Sequence, residues 1–277
     1  MLIPMSELNG MKPDISKEMC SIYFLDNGLL LKRFNRLYGM EKFYKFRRYE
    51  YARDIKGLEA VSLPIDVLET EKGFCGYVEK AKQGVLDGTF CQAADFINEN
   101  KYTLTLDWVT QYILGLSEVV DKCHEHGIII PDLASKGNVY FEPNTMEFWL
   151  GDFQDMQVKD VAYTGISDFI AKDPVIVTKK YMDCGLCTEN IDLYTITVLY
   201  LYYATKVNLP RAIGAGYPLE DIIGMVGLQG SEFADCLRKL YDPNGDNFDI
   251  KNMIVDLNDK YVVSDFKPNQ PKQFLKK

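Results

Sequence analysis

No stretch of this chain is apolar for long enough to cross a bilayer. The longest run, residues 193–204, falls short of the roughly 20 residues a spanning helix needs and has Asp192 at its head, so it reads as a buried helix. Positive charge is also short. The 31 Lys and Arg face 40 Asp and Glu, a net charge of −9 with pI near 4.9, which excludes a nucleic-acid binder that works through a global positive field. The main basic cluster, Lys42, Lys45, Arg47 and Arg48, reads as a solvated helix face. There are two histidines, His124 and His126, and one lone CxxC, Cys184-Gly185-Leu186-Cys187; zinc needs four ligands, so neither group supplies a zinc centre. Seven cysteines, an odd number in a long chain without a signal-peptide pattern, lead to an expectation of reduced thiols and a cytoplasmic location. Internal repeats and low-complexity tracts are absent as well.

What is present is an ordinary supply of core residues, 47% hydrophobic against 26% charged. A chain of 277 residues suits one large domain or two lobes sharing a cleft, with a single-core αβ sandwich as the other option. The expected division is a lead-in at 1–13, a first region at 14–79, a polar linker at 80–84, a second region at 85–265 and a tail at 266–277. Strands are expected at 19–25 and 29–34 around Asp26-Asn27-Gly28, a strong hairpin signal. A helix is expected over 39–58, then strands at 65–69 and 73–79 after Pro64. Val109, Ile113, Leu116, Val120 and Cys123 give 106–126 the spacing of an amphipathic helix that Gly127 ends. Later helices are expected at 191–206, 219–225, 231–241 and 250–256.

The richest stretch is Pro131-Asp132-Leu133-Ala134-Ser135-Lys136-Gly137-Asn138-Val139-Tyr140-Phe141, followed shortly by Trp149-Leu150-Gly151-Asp152-Phe153-Gln154. Two carboxylates and an amide on loops flanking an apolar β pair are what phosphoryl transfer needs. One acid orients a hydroxyl nucleophile, and an acid with an amide holds magnesium. Taken singly, Asp132 is an ordinary turn residue and Lys32 an ordinary surface charge, so the weight lies in the series.

That series runs hairpin with a lysine, helix with a glutamate, strands, linker, long helix, acid loop, second acid, buried helix with an aspartate. In it the sequence resembles the protein kinase-like superfamily over most of residues 14–260, as a divergent member of bacterial type or a pseudokinase. The resemblance implies an α+β, bilobal fold: a small N-terminal antiparallel sheet plus helix, and a larger, mainly helical C-terminal lobe. It implies ATP and Mg2+ as cofactors, with a nucleotide and an unknown protein or small molecule as partners. Lys32 would hold the α- and β-phosphates, and Glu50, eighteen positions later, would pair with it. Residues 74–81 would form the strand entering the hinge, with Val78 controlling the back pocket and the backbone of Glu79 to Ala81 meeting adenine. Asp132 would orient the acceptor hydroxyl and take its proton, and Lys136 would neutralise the transferring phosphate. Asn138 and Asp152 would bind magnesium through oxygen, and Asp192 would brace the loop, cap its helix, or both.

The chain departs from the kinase pattern at several points. Residues 15–20 carry no glycine where a phosphate-covering loop would have three, and each lost charge-assisted hydrogen bond costs about 1.5–3 kcal/mol. Lys17 offers a side-chain substitute. Asn138 lies six residues after Asp132 rather than five, Ile130-Pro131 stands for His-Arg, and Gln154 stands for the glycine of Asp-Phe-Gly and should restrict its flipping. No Ala-Pro-Glu lies between Asp152 and Asp192, and its arginine partner is missing after Leu240-Tyr241-Asp242-Pro243. The expected functions are a phosphotransferase acting on a protein hydroxyl, a pseudokinase that binds nucleotide or serves as a scaffold, or a small-molecule kinase of the aminoglycoside or choline type.

Overall fold

The structure, a computed structural model, describes residues 10–16, 18–25, 28–37, 39–71, 73–100, 103–161 and 165–245. The expected helix at 250–256, the tail at 266–277, most of the lead-in and Lys17 lie outside the described residues.

Five strands, β1 (Ile15–Ser16), β2 (Cys20–Phe24), β3 (Leu29–Phe34), β4 (Pro64–Thr70) and β5 (Gly73–Lys80), form one antiparallel sheet in the order β1-β2-β3-β5-β4. Gly28, at φ 73°, takes the left-handed turn position that the Asn-Gly signal requires. Runs such as Leu29-Leu30-Leu31 place apolar side chains on both faces. Cys20, Ile22, Leu30, Phe34, Phe74, Tyr77 and Ala81 make one cluster, joined by Phe46 and Tyr49 of helix α1 (Gly39–Ala52), while Tyr23, Leu31, Leu68 and Val78 make a second. At Gly76 an added Cβ would lie 2.1 Å from the carbonyl oxygen of Lys32, so only glycine lets β5 pass this close to the lysine strand.

The rest of the described chain is mainly helical: α2 (Gln83–Asp87), α3 (Ala93–Asn100), α4 (Leu106–Glu125), α5 (Asn190–Thr205), α6 (Leu209–Gly214), α7 (Leu219–Met225) and α8 (Glu232–Tyr241). Short strands lie among them. β6 (Cys91–Gln92), β8 (Val139–Glu142) and β9 (Glu147–Leu150) form a three-stranded sheet, β7 (Ile128–Ile129) pairs with β10 (Gln157–Val158), and β11 (Met182–Asp183) pairs with β12 (Leu186–Cys187). The fold class is therefore α+β. Helix α4 begins at Thr105, whose hydroxyl accepts from the Trp108 N–H, and ends before Gly127 at φ 68°. Its buried stripe, Val109, Tyr112, Ile113, Leu116 and Val120, meets Phe141 and Phe148 of the β8–β9 hairpin and the apolar helix α5 in the largest core. Among the described residues, no helix is long and apolar enough to cross a membrane.

Two expectations need correction. Helix α1 ends at Ala52, six residues early, because Gly57 turns left-handed and residues 60–62 leave to bond β9: Leu150 N–H donates to Ala60 at 2.7 Å and Ser62 N–H donates to Leu150 at 2.8 Å. The linker shrinks to Ala81 and Lys82, since β5 runs to Lys80 and α2 starts at Gln83. The CxxC is the tip and end of the β11–β12 hairpin.

Candidate functional site

The loop after β7 hangs from a buried acid. Asp192, fully buried in the first turn of α5, accepts the Ile130 N–H at 2.9 and 3.1 Å and binds His124 Nε2 of α4 at 2.8 Å. Its carboxylate therefore braces the loop and does not cap its own helix. Burial raises its pKa against those hydrogen bonds, and the same Asp192 contact raises that of His124 despite burial.

From this brace the chain reaches Asp132. One carboxylate oxygen accepts from the Ser135 hydroxyl and the other from Asn138 Nδ2 at 3.1 Å, and the same amide nitrogen donates to the Asp132 carbonyl at 2.8 Å. The amide group is thereby aimed: its nitrogen is committed to Asp132, and its Oδ1 is the atom left for a cation. Burial raises the Asp132 pKa, with Ser135 and Asn138 holding it down. Between Asp132 and Asn138 the chain turns through Gly137 at φ 90°.

The hairpin β8–β9 then delivers the second acid. Gly151 N–H donates to the Asn138 carbonyl at 2.9 Å, which closes the base of the hairpin and sets Asp152 beside Asn138 along the chain path. Asp152 sits in the left-handed region at φ 57° and ψ 39°, a conformation that aspartate tolerates better than most non-glycine residues. Its carboxylate pairs with the ammonium of Lys32, which also donates to Gln154 Oε1 at 2.7 Å. Residues 120 apart in sequence thus meet at one buried cation. Burial alone would lower the Lys32 pKa, but the Asp152 and Glu79 carboxylates push it up to about 12. The Gln154 amide is held on both sides, since its Oε1 accepts from Lys32 and its Nε2 donates to Asp155 at 2.9 Å.

Of the residues singled out from sequence, Lys32, Asp132, Asn138 and Asp152 come together. Glu50 does not join them. It is half-buried and pairs with Arg47 one turn away at 3.2 Å, because the stripe of α1 that faces the site carries Lys45 and Arg48 instead. Those two were expected in a solvated face, yet they are 4% and 0% exposed; Lys45 pairs with Asp155 at 3.4 Å and Arg48 Nε donates to the Met156 carbonyl at 2.7 Å. Burial lowers the Lys45 pKa. The available signal was their i, i+3, i+7 alignment with buried Ala52. Lys136 is 67% exposed and bonded to Asp95 of α3 at 2.8 Å rather than to the acid cluster. Ala81 N–H is already given to the Gly28 carbonyl at 3.0 Å, so it is no free donor for a base. Glu79 has its side chain buried at 2% exposure, accepting from the Ser62 hydroxyl at 2.6 Å.

A cavity of about 230 Å³ opens between the sheet, α1 and the loops, with Cys20, Phe34, Lys45, Asp132, Gln154 and Asp155 in its wall. Below it, residues 173–181 are fastened to the end of α8 without a glutamate–arginine pair: Asp173 accepts from the hydroxyls of Tyr194 and Tyr241, and Lys180 Nζ donates to the carbonyls of Lys239 at 2.6 Å and Asp242 at 3.1 Å. Among the described residues, no group of three or more His, Cys, Asp or Glu is placed to hold a metal by itself. The oxygen set of Asn138 and Asp152 fits a hard cation that keeps waters and takes further ligands from phosphate. No protein-family model matches the chain, and no curated protein matches it either.

Proposed function

We propose that the chain is an ATP- and magnesium-dependent phosphotransferase of protein kinase-like type, its two lobes meeting at the cleft that holds Lys32, Asp132, Asn138 and Asp152. The observation that carries this reading is the convergence of Lys32 on Asp152, beside an asparagine whose amide nitrogen is committed to Asp132 and whose oxygen is left over. Lys32 contributes a cation for phosphate oxygens. Asp132, held by Ser135 and Asn138, orients a hydroxyl and accepts its proton as transfer proceeds. Magnesium bound at Asn138 and Asp152 supplies charge neutralisation on the phosphates. The acceptor belongs to a protein, with a small-molecule alcohol as the alternative.

A second reading, a pseudokinase that binds nucleotide or partners without chemistry, is favoured by the glycine-free segment before β2 and by the Ala81 N–H already spent on Gly28. Calorimetric titration of ATP, with and without magnesium, on the native chain and Asp152→Asn separates the two. The enzyme reading expects magnesium-dependent binding that the variant loses. Metal-independent binding retained by the variant would favour the nucleotide-binding module, and no binding at millimolar ATP the scaffold.

A further inference from the structure

Glu79 is a buried carboxylate with work left undone. It is 2% exposed, one oxygen accepts from Ser62, and the other, Oε1, has no hydrogen-bond partner among the described residues. An unsatisfied buried acceptor has given up its hydration without replacement and calls for a reason. The strand register supplies one. In the β3–β5 ladder Lys32 lies opposite Tyr77 and Leu30 opposite Glu79, so Lys32 and Glu79 are diagonal neighbours. Leu30 and Tyr77 belong to one apolar cluster on one sheet face, and the alternation of the strands puts Lys32 and Glu79 on that face with them. Diagonal neighbours stand about 7–8 Å apart, within reach of a lysine and a glutamate. The side chain of Lys32 is itself 3% exposed, so it has no water to retreat to.

We propose that Glu79 is the second acid of Lys32, receiving its ammonium whenever the Asp152 carboxylate is engaged by a cation. The inference rests on the kinase-like reading. In the ligand-free state Lys32 neutralises Asp152. A cation at Asp152 displaces that ammonium, and a buried lysine left without a counter-charge is strongly disfavoured. Glu50 is paired with Arg47 at 3.2 Å, away from Lys32. Glu79 can take the ammonium, by turning its unpartnered oxygen to Lys32 while Ser62 keeps the other. Glu79 is thus a positioning residue: it acts on phosphate through Lys32. The electrostatic pull of Glu79 on Lys32 is already felt in the ligand-free state.

The test is a mutant cycle with two readouts. Calorimetry of Mg·ATP on the native chain, Glu79→Gln, Glu50→Gln, Lys32→Met and Lys32→Met/Glu79→Gln should show about tenfold weaker binding for Glu79→Gln. Glu50→Gln should stay within about twofold, and Glu79→Gln should add nothing once Lys32 is gone. An equal loss from Glu50→Gln, or a Glu79 effect that persists without Lys32, overturns the inference. Urea unfolding without nucleotide provides the second readout. In an Asp152→Asn background, which forces Lys32 to seek another acid, Glu79→Gln should lower the midpoint by roughly 1 M more than in the native background, and only while Lys32 is present. No Mg·ATP binding by the native chain sinks the kinase-like reading but leaves the pairing to the unfolding cycle, where an unchanged midpoint difference overturns it.

Discussion

Asp192 and Glu79 are both buried carboxylates, 0% and 2% exposed, but the regions around them are built differently. Asp192 sits between α4 and α5 with every partner in place, two contacts from the Ile130 N–H and one from His124. The core around it is apolar, with Cys123, Ile130 and Ile191 each 2% exposed or less. Glu79 lies on β5 opposite Leu30 and diagonal to Lys32, with one oxygen unpartnered among the described residues. One region is complete as it stands; the other holds buried charges that can be redistributed. Under the proposed phosphotransferase reading the two would serve different ends: a fixed floor would carry Asp132 and Asn138, and a roof with an unpartnered acid would let Lys32 change partners.

The comparison breaks hardest at Asp192. Asp192→Ala leaves the Ile130 N–H and His124 without their acceptor in a dry core, and should cost about 3–5 kcal/mol in urea unfolding. A loss below about 1 kcal/mol would mean that the loop is held by its neighbours and that the floor is no more rigid than the roof.

On the other side, Lys45→Met removes a buried cation whose ion pair with Asp155 is long, 3.4 Å, and whose ammonium lies 4.7 Å over the Phe34 ring. The desolvation that this lysine suffers offsets most of what the pair contributes, and methionine fills similar volume. Unfolding should therefore change by less than about 1.5 kcal/mol in either direction. A loss above about 3 kcal/mol would place the roof in the same class as the floor and undo the contrast.

The contrast also explains which parts could be read from sequence. Helix α4 was legible because Val109, Ile113, Leu116 and Val120 keep strict spacing between a threonine cap and Gly127, and the β2–β3 hairpin because its turn needs a positive φ at Gly28. Lys32, Asp132, Asn138 and Asp152 were singled out by their order along the chain and not one by one, and the structure brings Lys32 to Asp152 and Asn138 to Asp132. Helix α1 was not legible in the same way. Its basic residues look alike in sequence, yet Lys45 and Arg48 are buried while Arg47 is 38% exposed on its side chain, a distinction made by Asp155 and Met156 more than a hundred residues away. Glu79 was singled out for its backbone, and its side-chain role depends on cross-strand register, which composition does not record.

Glu50 gives the smallest effect and the sharpest edge to the comparison. It lies on the same helix as Lys45 and Arg48 and carries the charge the resemblance assigned to the lysine partner, but its contact with Arg47 is a partly solvent-exposed i, i+3 pair at 3.2 Å. Such pairs contribute little, because water screens them and both long side chains lose freedom to form them. Glu50→Gln should shift stability by less than about 0.5 kcal/mol, and raising salt should shrink even that difference. A larger, salt-independent loss would mean that Glu50 reaches the buried charges after all, and the acid partner of Lys32 would have to be sought on α1 rather than on the neighbouring strand.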